Sequence, residues 1–176
     1  MDFTASIYWL SLGTILAQIV VVIGALLVVV KPASWPVRVV GKNALGLAFI
    51  LSLVGAVGSL FLSEIAQFPP CVFCWYQRIA LYPQVLLFGM ALARGKDDVV
   101  DYSIGLSLAG AAIAGYQYYG QMFNAALLPC SASIFSPSCS DVPFVEFGYI
   151  TIPMMSLTAF AVLLVLMMAH KAVRRR

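Results

Sequence analysis

The sequence predicts an all-α membrane protein whose five transmembrane helices form one compact bundle. Of its 176 residues, 62% are hydrophobic and only 10% are charged, whereas a soluble domain is about half apolar and a quarter charged. Uncharged stretches longer than about 18 residues recur along the chain, and a bilayer core of about 30 Å needs roughly 20 apolar residues per helical crossing. A β-barrel is not expected, because these stretches are continuously apolar and do not alternate at every second residue.

The predicted crossings, in chain order, are residues 7–30, 44–66, 74–94, 102–123 and 148–170. The connections are too short to fold as a soluble domain, so residues 1–176 are expected to form a single integral-membrane domain with its chemistry at the membrane surface or between the helices. A cleaved signal peptide is the alternative for the first crossing. It is disfavoured because Asp2 is the only charge of that segment and because the apolar run is too long for the core of a signal peptide.

The basic residues predict which side of the membrane each loop faces. Nine of the ten Lys and Arg residues follow the first, third and fifth crossings, and such residues concentrate in cytoplasmic loops. We therefore expect a cytoplasmic C-terminus, an outer N-terminus, and outer loops at Glu64–Trp75 and Asn124–Phe147. This topology accounts for the net charge of +3, and since no phosphate-binding glycine motif is present either, no nucleic acid or nucleotide is expected as a partner. The tenth basic residue, Arg78, lies inside the third crossing, where it either snorkels to lipid headgroups or has a specific role.

All four cysteines fall in the two outer loops: Cys71, Cys74, Cys130 and Cys139. An even number confined to an extracytoplasmic face indicates disulfide chemistry. Two prolines precede Cys71, which is expected to begin the third helix, where free N–H groups and the helix dipole stabilise a thiolate. Arg78 follows Cys74 by four residues and so shares its helix face, which also favours redox chemistry. An inert surface disulfide and a four-cysteine zinc site are the alternatives.

The second cysteine pair closes a loop of small residues. The ten residues from Cys130 to Cys139 are rich in serine and include one proline and no charge. A ring of this size is easily closed and easily reopened, as suits a disulfide that is attacked by a thiolate from another protein. A static disulfide that only holds the loop together is the alternative.

Taken together, these residues resemble the disulfide bond formation protein B (DsbB) family of quinone-linked thiol oxidases of the bacterial inner membrane. The resemblance rests on C-x-x-C-x-x-Q-R at the outer start of a helix, on the following Tyr-Pro, and on a second cysteine pair before the last helix; the residues of the motif are Cys71, Cys74, Gln77, Arg78, Tyr82 and Pro83. It covers about residues 44–170 and implies a four-helix transmembrane bundle, to which residues 7–30 add one extra N-terminal transmembrane helix.

The resemblance also implies a function and a role for each cysteine. Cys130 would be attacked by the reduced thiol of a DsbA-like thioredoxin-fold partner, and Cys139 would pass the electrons on to Cys71. Cys74 would lie against a membrane quinone, ubiquinone or menaquinone, with Arg78 as its polar or cationic partner. The chemistry supports a quinone independently, because DsbA-type proteins are strong oxidants, at about −120 mV, and need a stronger acceptor than glutathione couples.

Three features depart from the family pattern: the additional first crossing, the short spacing of the second cysteine pair, and the lack of a histidine at the outer end of the fourth crossing. Gln117 and Gln121 are the polar residues available at that end, and Gln117 is the candidate for quinone binding. His170, the only histidine, lies at the cytoplasmic end of the last crossing and is expected to be an interfacial residue without a role in the chemistry.

Two other functions remain as alternatives. A vitamin K epoxide reductase-like protein would run related quinone chemistry in a similar bundle, but its C-x-x-C lies late in the chain, whereas here it comes first. A non-enzymatic transporter or a four-cysteine metal-binding membrane subunit would be expected to carry more polar or ionisable residues deep in its crossings.

Overall fold

The computed structural model describes residues 3–128 and 138–174. These residues form six α-helices: α1 (Phe3–Val30), α2 (Trp35–Lys42), α3 (Ala44–Leu60), α4 (Val72–Arg94), α5 (Val99–Phe123) and α6 (Ile152–Arg174). A π-helical turn, Phe61–Ile65, continues α3, and a short 3-10 turn, Ala125–Leu127, follows α5. Extended pairing in the described residues is limited to one isolated bridge between Glu146 and Ile150. The prediction of an all-α membrane protein is confirmed.

Four stretches of helix are long and apolar enough to cross a membrane: Ala5–Val30, Ala44–Ile65, Val99–Phe123 and Ile152–Arg174. Helix α4 is long enough as well, because its 23 residues span about 34 Å at 1.5 Å per residue. Its composition is more polar than that of the other four helices, and the reason lies in Gln77, Arg78 and Gln84, which are all buried in the bundle. Five long helices therefore stand where the sequence predicts five crossings.

Gln77, Arg78 and Gln84 of α4 each have a hydrogen-bond partner on a neighbouring helix. Gln84 accepts hydrogen bonds from the hydroxyls of Ser103 at 2.7 Å and Ser107 at 3.2 Å on α5, and its amide nitrogen donates to the Ala80 carbonyl at 3.0 Å. An unsatisfied polar group in the apolar core of a membrane costs several kcal/mol. Helix α4 thus turns its polar side inward, which makes a helix of this composition compatible with a bilayer.

Helix α6 is the centre of the bundle and packs against α1, α2, α3 and α5. Its fully buried residues Phe160, Leu163 and Met167 form the core together with Phe88 of α4. Gly110 of α5 lies directly against the ring of Phe160, where even a Cβ atom would overlap the ring. Close packing of this kind holds α5 and α6 together where the hydrophobic effect gives no drive between helices in lipid.

The predicted crossings leave residues 31–43 as a connection, but the structure forms the short helix α2 there. Pro36 lies in the first turn of α2, where its fixed φ suits a helix start. Val37 and Gly41, one turn apart, are buried, whereas Arg38 and Lys42 are exposed. The segment therefore forms an amphipathic helix that packs against α6, and the predicted loop is corrected at this point.

The last helix begins at Ile152, later than the predicted start at residue 148. Phe147 and Gly148 both have positive φ, 51° and 78°, which is incompatible with a right-handed helix. Backbone hydrogen bonds between Glu146 and Ile150 close this turn. The apolar composition of the segment conceals the turn, so the predicted boundary was wrong by about one helical turn.

The two ends of the bundle differ in chemistry. The basic residues after α1 and α4 lie at the same end as Lys171 and Arg174 in the last turn of α6. There Arg174 and His170 contact Asp97 at 2.6 and 3.1 Å, and the other ring nitrogen of His170 lies 2.9 Å from the Gly41 carbonyl. His170 is therefore a buried contact between α2, α6 and the α4–α5 loop, which corrects its interpretation as an interfacial residue. The cysteines at the start of α4 lie at the opposite end.

Candidate active site

The C-x-x-C pair lies at the start of α4, as predicted. Cys71 is the N-cap residue, with extended backbone (φ −76°, ψ 175°), and its carbonyl accepts the first helical hydrogen bond, from Trp75 N at 3.1 Å. Cys74 is one turn further along, and the two sulfur atoms are 3.4 Å apart, with both cysteines free. The two cysteines therefore form a dithiol, and their sulfurs are close enough to form a disulfide after a small rotation of the side chains.

Gln117 of α5 is the residue that faces the two sulfurs. Its amide nitrogen is 3.2 Å from Cys71 Sγ and 3.9 Å from Cys74 Sγ. Its carbonyl oxygen accepts a hydrogen bond from the amide of Gln77 at 2.8 Å, and this bond orients the nitrogen toward the sulfurs. Gln117 is 1% exposed, and a buried N–H donor stabilises negative charge on sulfur when a thiolate forms.

Arg78 points toward α3. Its Nε donates to Ser59 Oγ and its Nη2 to the Ser59 carbonyl, both at 2.9 Å, and its guanidinium lies 5.2 Å from the centre of the Trp75 ring. With 8% exposure, the side chain is buried in the bundle, so its partners are protein groups and the snorkelling alternative does not describe it. The helix spacing predicts that Arg78 lies beside Cys74, but the donor that faces the sulfurs is Gln117.

A third cysteine joins the pair from the loop before α6. Cys139 is buried and packs with Cys71 and Leu128 in a small apolar cluster. Gln121 of α5 holds this loop by donating to the carbonyls of Cys139 at 3.0 Å and Asp141 at 3.2 Å. The structure therefore brings three of the four predicted redox residues together. Cys130 lies outside the described residues, so its pairing with Cys139 stays a prediction.

The surroundings of two thiols keep them protonated. The pKa of Cys71 lies well above the ordinary range, first because its S–H donates to Cys74 and second because of burial. Burial is also the main cause that raises the pKa of Cys139, to about 11. Since the thiolate is the reactive form of cysteine, these two sulfurs hold their protons at neutral pH in the reduced state.

A cavity of about 570 Å³ opens beside the cysteines and is lined by residues of α1, α3, α4, α5 and α6. Its polar lining is concentrated near the start of α4, at Cys71, Cys74, Arg78 and Gln117, whereas Leu51, Leu81 and Val162 line it further along the helices. Ligand pockets typically have volumes of about 300–1,000 Å³ and a mainly apolar wall with a few polar groups that fix orientation. The arrangement suits an apolar molecule with a polar ring.

A separate cavity of about 430 Å³ lies at the opposite end and is lined by Asp97, Val100, Asp101, His170, Lys171 and Arg174. Within residues 3–128 and 138–174, no three His, Cys, Asp or Glu side chains are arranged to hold a metal ion. Any four-cysteine metal site would need Cys130, which the structure does not describe.

The bundle and its cysteine cluster define a class, namely a multi-pass membrane protein with a redox-competent dithiol at one end. The chain belongs to the DsbB family: the family model described as "Disulfide bond formation protein DsbB" matches residues 41–170. The identification made from the cysteine motif is confirmed, and the protein is a disulfide-forming membrane protein. The match begins at residue 41, so α1 lies outside the part that defines the family.

Curated relatives agree with this assignment. The chain is 36% identical over 124 residues to the "Probable disulfide formation protein" of Coxiella burnetii (strain RSA 493 / Nine Mile phase I), which covers 69% of this chain and 83% of that protein. It is 36% identical over 122 residues to "Disulfide bond formation protein C" of Bacillus subtilis (strain 168), covering 68% and 86%. The "SPbeta prophage-derived disulfide bond formation protein B" of the same strain is 39% identical over 122 residues, covering 69% and 81%. No solved structure matches the chain.

Proposed function

We propose that this protein is a quinone-dependent protein-disulfide oxidoreductase, in which the whole chain acts as one integral-membrane domain. It reoxidises a DsbA-like thioredoxin-fold partner outside the cytoplasm and passes the two electrons to a membrane quinone. The observation that supports this most is the packing of Cys139 on Cys71, beside Cys74 and at the cavity. If the C-x-x-C pair were only a structural disulfide, it would not need a third cysteine packed against it.

The proposed orientation in the bacterial inner membrane follows from the charges. Apart from Arg78, the basic residues in the described part of the chain lie at the end opposite the cysteines, where Arg174 pairs with Asp97, and such residues favour the cytoplasmic side. The N-terminus and all four cysteines then face the oxidising compartment, where disulfides persist.

In the proposed exchange, every sulfur that is attacked releases a thiolate. A partner thiolate attacks Cys130 and breaks the Cys130–Cys139 disulfide, and Cys139 then attacks Cys71 of the Cys71–Cys74 disulfide and releases Cys74. The second thiol of the partner displaces Cys130, which in turn attacks Cys139, restores the loop disulfide and releases Cys71. The net result is an oxidised partner and a reduced C-x-x-C pair that carries two electrons and two protons.

The residues around the cavity fit a quinone as the acceptor. A quinone, when bound, supplies the capacity to accept two electrons and two protons. The amide of Gln117 stabilises charge on the sulfurs, the Ser59 bonds fix the guanidinium of Arg78 in the cavity wall, and the apolar walls exclude water. Cys71, whose pKa is raised, retains a proton that must leave when the pair is reoxidised.

The test is turnover with purified components. The protein, a reduced DsbA-like partner and a soluble short-chain ubiquinone are expected to consume one quinone for each disulfide formed. The matched control replaces Cys71 and Cys74 by serine, which leaves Cys130 and Cys139 in place, and this variant is expected to consume none. If the wild-type protein forms a mixed disulfide with the partner but consumes no quinone, the proposal is wrong.

A further inference from the structure

Helix α1 forms one wall of the cavity although it lies outside the family match. Five residues of α1 line the cavity: Trp9, Leu10, Gly13, Thr14 and Ala17. Their spacing of i, i+1, i+4, i+5 and i+8 places them on one face of the helix. The opposite face of α1 is exposed, for example at Ile19, Val22 and Leu26. The helix therefore does more than anchor the chain, because it separates the cavity from the surrounding lipid.

Polar contacts fix the register of α1 on the bundle. The Tyr149 hydroxyl donates to Gln18 Oε1 at 2.8 Å, and Gln18 Nε2 donates to Thr158 Oγ1 of α6 at 3.2 Å. Nearer the start of the helix, the rings of Tyr8 and Phe147 are 5.6 Å apart. A glutamine in the membrane needs partners of this kind, so sliding or rotation of α1 would leave polar groups unpaired. The residues of α1 that face the cavity are therefore held there.

The α1 wall leaves space and offers few polar groups. A Cβ atom added at Gly13 would meet no atom within 4 Å, whereas one at Gly24, deeper in the same helix, would lie 3.0 Å from Val165. The Thr14 hydroxyl donates to the Leu10 carbonyl at 2.9 Å within α1 itself. Gly13 thus opens onto the cavity, and the surface around it is largely apolar.

Most polar groups of the cavity wall lie near the sulfurs, and further along the helices the wall is mainly apolar but includes the hydroxyls of Thr14, Ser156 and Thr158. Leu81 lies ten residues beyond Cys71 on α4, so the cavity extends about 15 Å along this helix from the sulfurs. On the α1 side, Ala17 marks the far part of the cavity wall. It is next to Gln18, which contacts Thr158 in the second turn of α6. A quinone has a polar ring and an apolar isoprenoid tail, so its ring suits the sulfur end and its tail the apolar part.

We propose that α1 is the wall against which the isoprenoid tail of the quinone lies, with Gly13 and Ala17 leaving the space for that tail. This inference rests on the proposed quinone chemistry and adds to it a residue-level determinant of the quinones that are admitted. Larger side chains at these positions of α1 are then expected to reduce the binding of quinones with a tail more than the binding of a quinone without one.

The experiment compares two ligands and matched glycine variants. Binding of decylubiquinone and of ubiquinone-0, which has no tail, is measured by calorimetry on the purified protein in nanodiscs. Gly13→Leu is expected to weaken decylubiquinone binding at least tenfold and ubiquinone-0 binding less than threefold, and Ala17→Leu to act in the same direction. Gly46→Leu in α3 is the control, because Gly46 also has open space around its Cα but does not line the cavity; it is expected to change neither affinity.

Two controls detect a folding defect. Gly13→Ala is a smaller change and is expected to have an intermediate effect on decylubiquinone binding, and the thermal unfolding temperature of every variant is measured. Wild-type decylubiquinone affinity in Gly13→Leu and Ala17→Leu would overturn the role of α1, as would equal losses for both ligands. If the wild-type protein itself binds neither quinone, the proposed function fails first, and this outcome is distinct because it is seen without any substitution.

Discussion

At the scale of single residues, the site depends on side chains that are separated in sequence and selected by packing. Gln117 reaches the sulfurs because Gln77 holds its carbonyl oxygen. Arg78, four residues from Cys74, is instead held by Ser59 of α3. Proximity along one helix face therefore identifies which residues surround a thiol, but the contacts from the neighbouring helices decide which of them acts on it.

Replacing Gln117 by leucine is expected to lower the rate of quinone reduction roughly 10- to 100-fold. A hydrogen bond to a charged group contributes about 1.5–3 kcal/mol, and each 1.36 kcal/mol corresponds to a factor of ten in rate. The measurement is kcat with a reduced partner and a short-chain quinone. Gln84→Leu is the matched control, since Gln84 is also a buried glutamine but pairs with Ser103 and Ser107; it should lower stability and leave kcat within about threefold. Equal rates in both variants would show that the amide of Gln117 has no role.

The raised pKa of Cys139 predicts a pH profile for its alkylation. In the fully reduced protein, a thiol with a pKa of about 11 is about one part in a thousand thiolate at pH 8, whereas an ordinary cysteine with a pKa near 8.5 is about one quarter thiolate. The rate of iodoacetamide labelling at Cys139, followed by peptide mass spectrometry, is expected to rise about tenfold per pH unit from pH 7 to 10. Poor access alone would slow labelling at every pH but would leave the rate to level off above an ordinary cysteine pKa. A plateau near pH 9 would therefore contradict a raised pKa for Cys139.

At the scale of helices, the sequence predicts the long apolar crossings well and the short connections poorly. The crossings follow from composition alone, because about 20 apolar residues have few other stable arrangements. Helix α2 was missed because only two of its eight residues, Val37 and Gly41, are buried, and Gly41 is buried against Ala169 and Val173 of α6, a contact that the sequence does not show. The turn at Phe147 and Gly148 was missed because it lies within an apolar run, where hydropathy carries no information on φ.

Asp97 ties the α4–α5 loop to α6 at the basic end, and its replacement by asparagine is expected to destabilise the bundle by about 1–3 kcal/mol. The change removes the charge that pairs with Arg174 and His170, and breaking a partly buried charged network leaves its partners unsatisfied. Thermal unfolding in a defined detergent measures the effect. Asp98→Asn is the control, since the neighbouring Asp98 is exposed, and it should change stability by less than about 0.5 kcal/mol. Equal stability of the two variants would exclude a structural role for the network.

At the scale of the whole molecule, the family could be predicted because the C-x-x-C motif at a helix start is local in sequence. The contact of Cys139 with Cys71 could not be predicted from the residues alone, since 68 positions separate the two cysteines and the packing of α5 and its loop brings them together. The same holds for the cavity, one wall of which belongs to α1. The cysteine motif can therefore be recognised in the sequence, whereas the surroundings of the cysteines depend on how the five long helices pack.

The separation of charge and sulfur between the two ends predicts a topology that fusion reporters can measure. Green fluorescent protein fused after Arg174 should fluoresce, and alkaline phosphatase fused at the same position should be inactive, because the basic end favours the cytoplasm. Alkaline phosphatase inserted after Gln67, in the loop before Cys71, should be active. As a control for the reporter, both fusions are also made after Lys96, in the loop between α4 and α5, and should behave as they do after Arg174. An active phosphatase after Arg174 would place the cysteines in the reducing compartment, where a thiol oxidase could not release disulfides that persist.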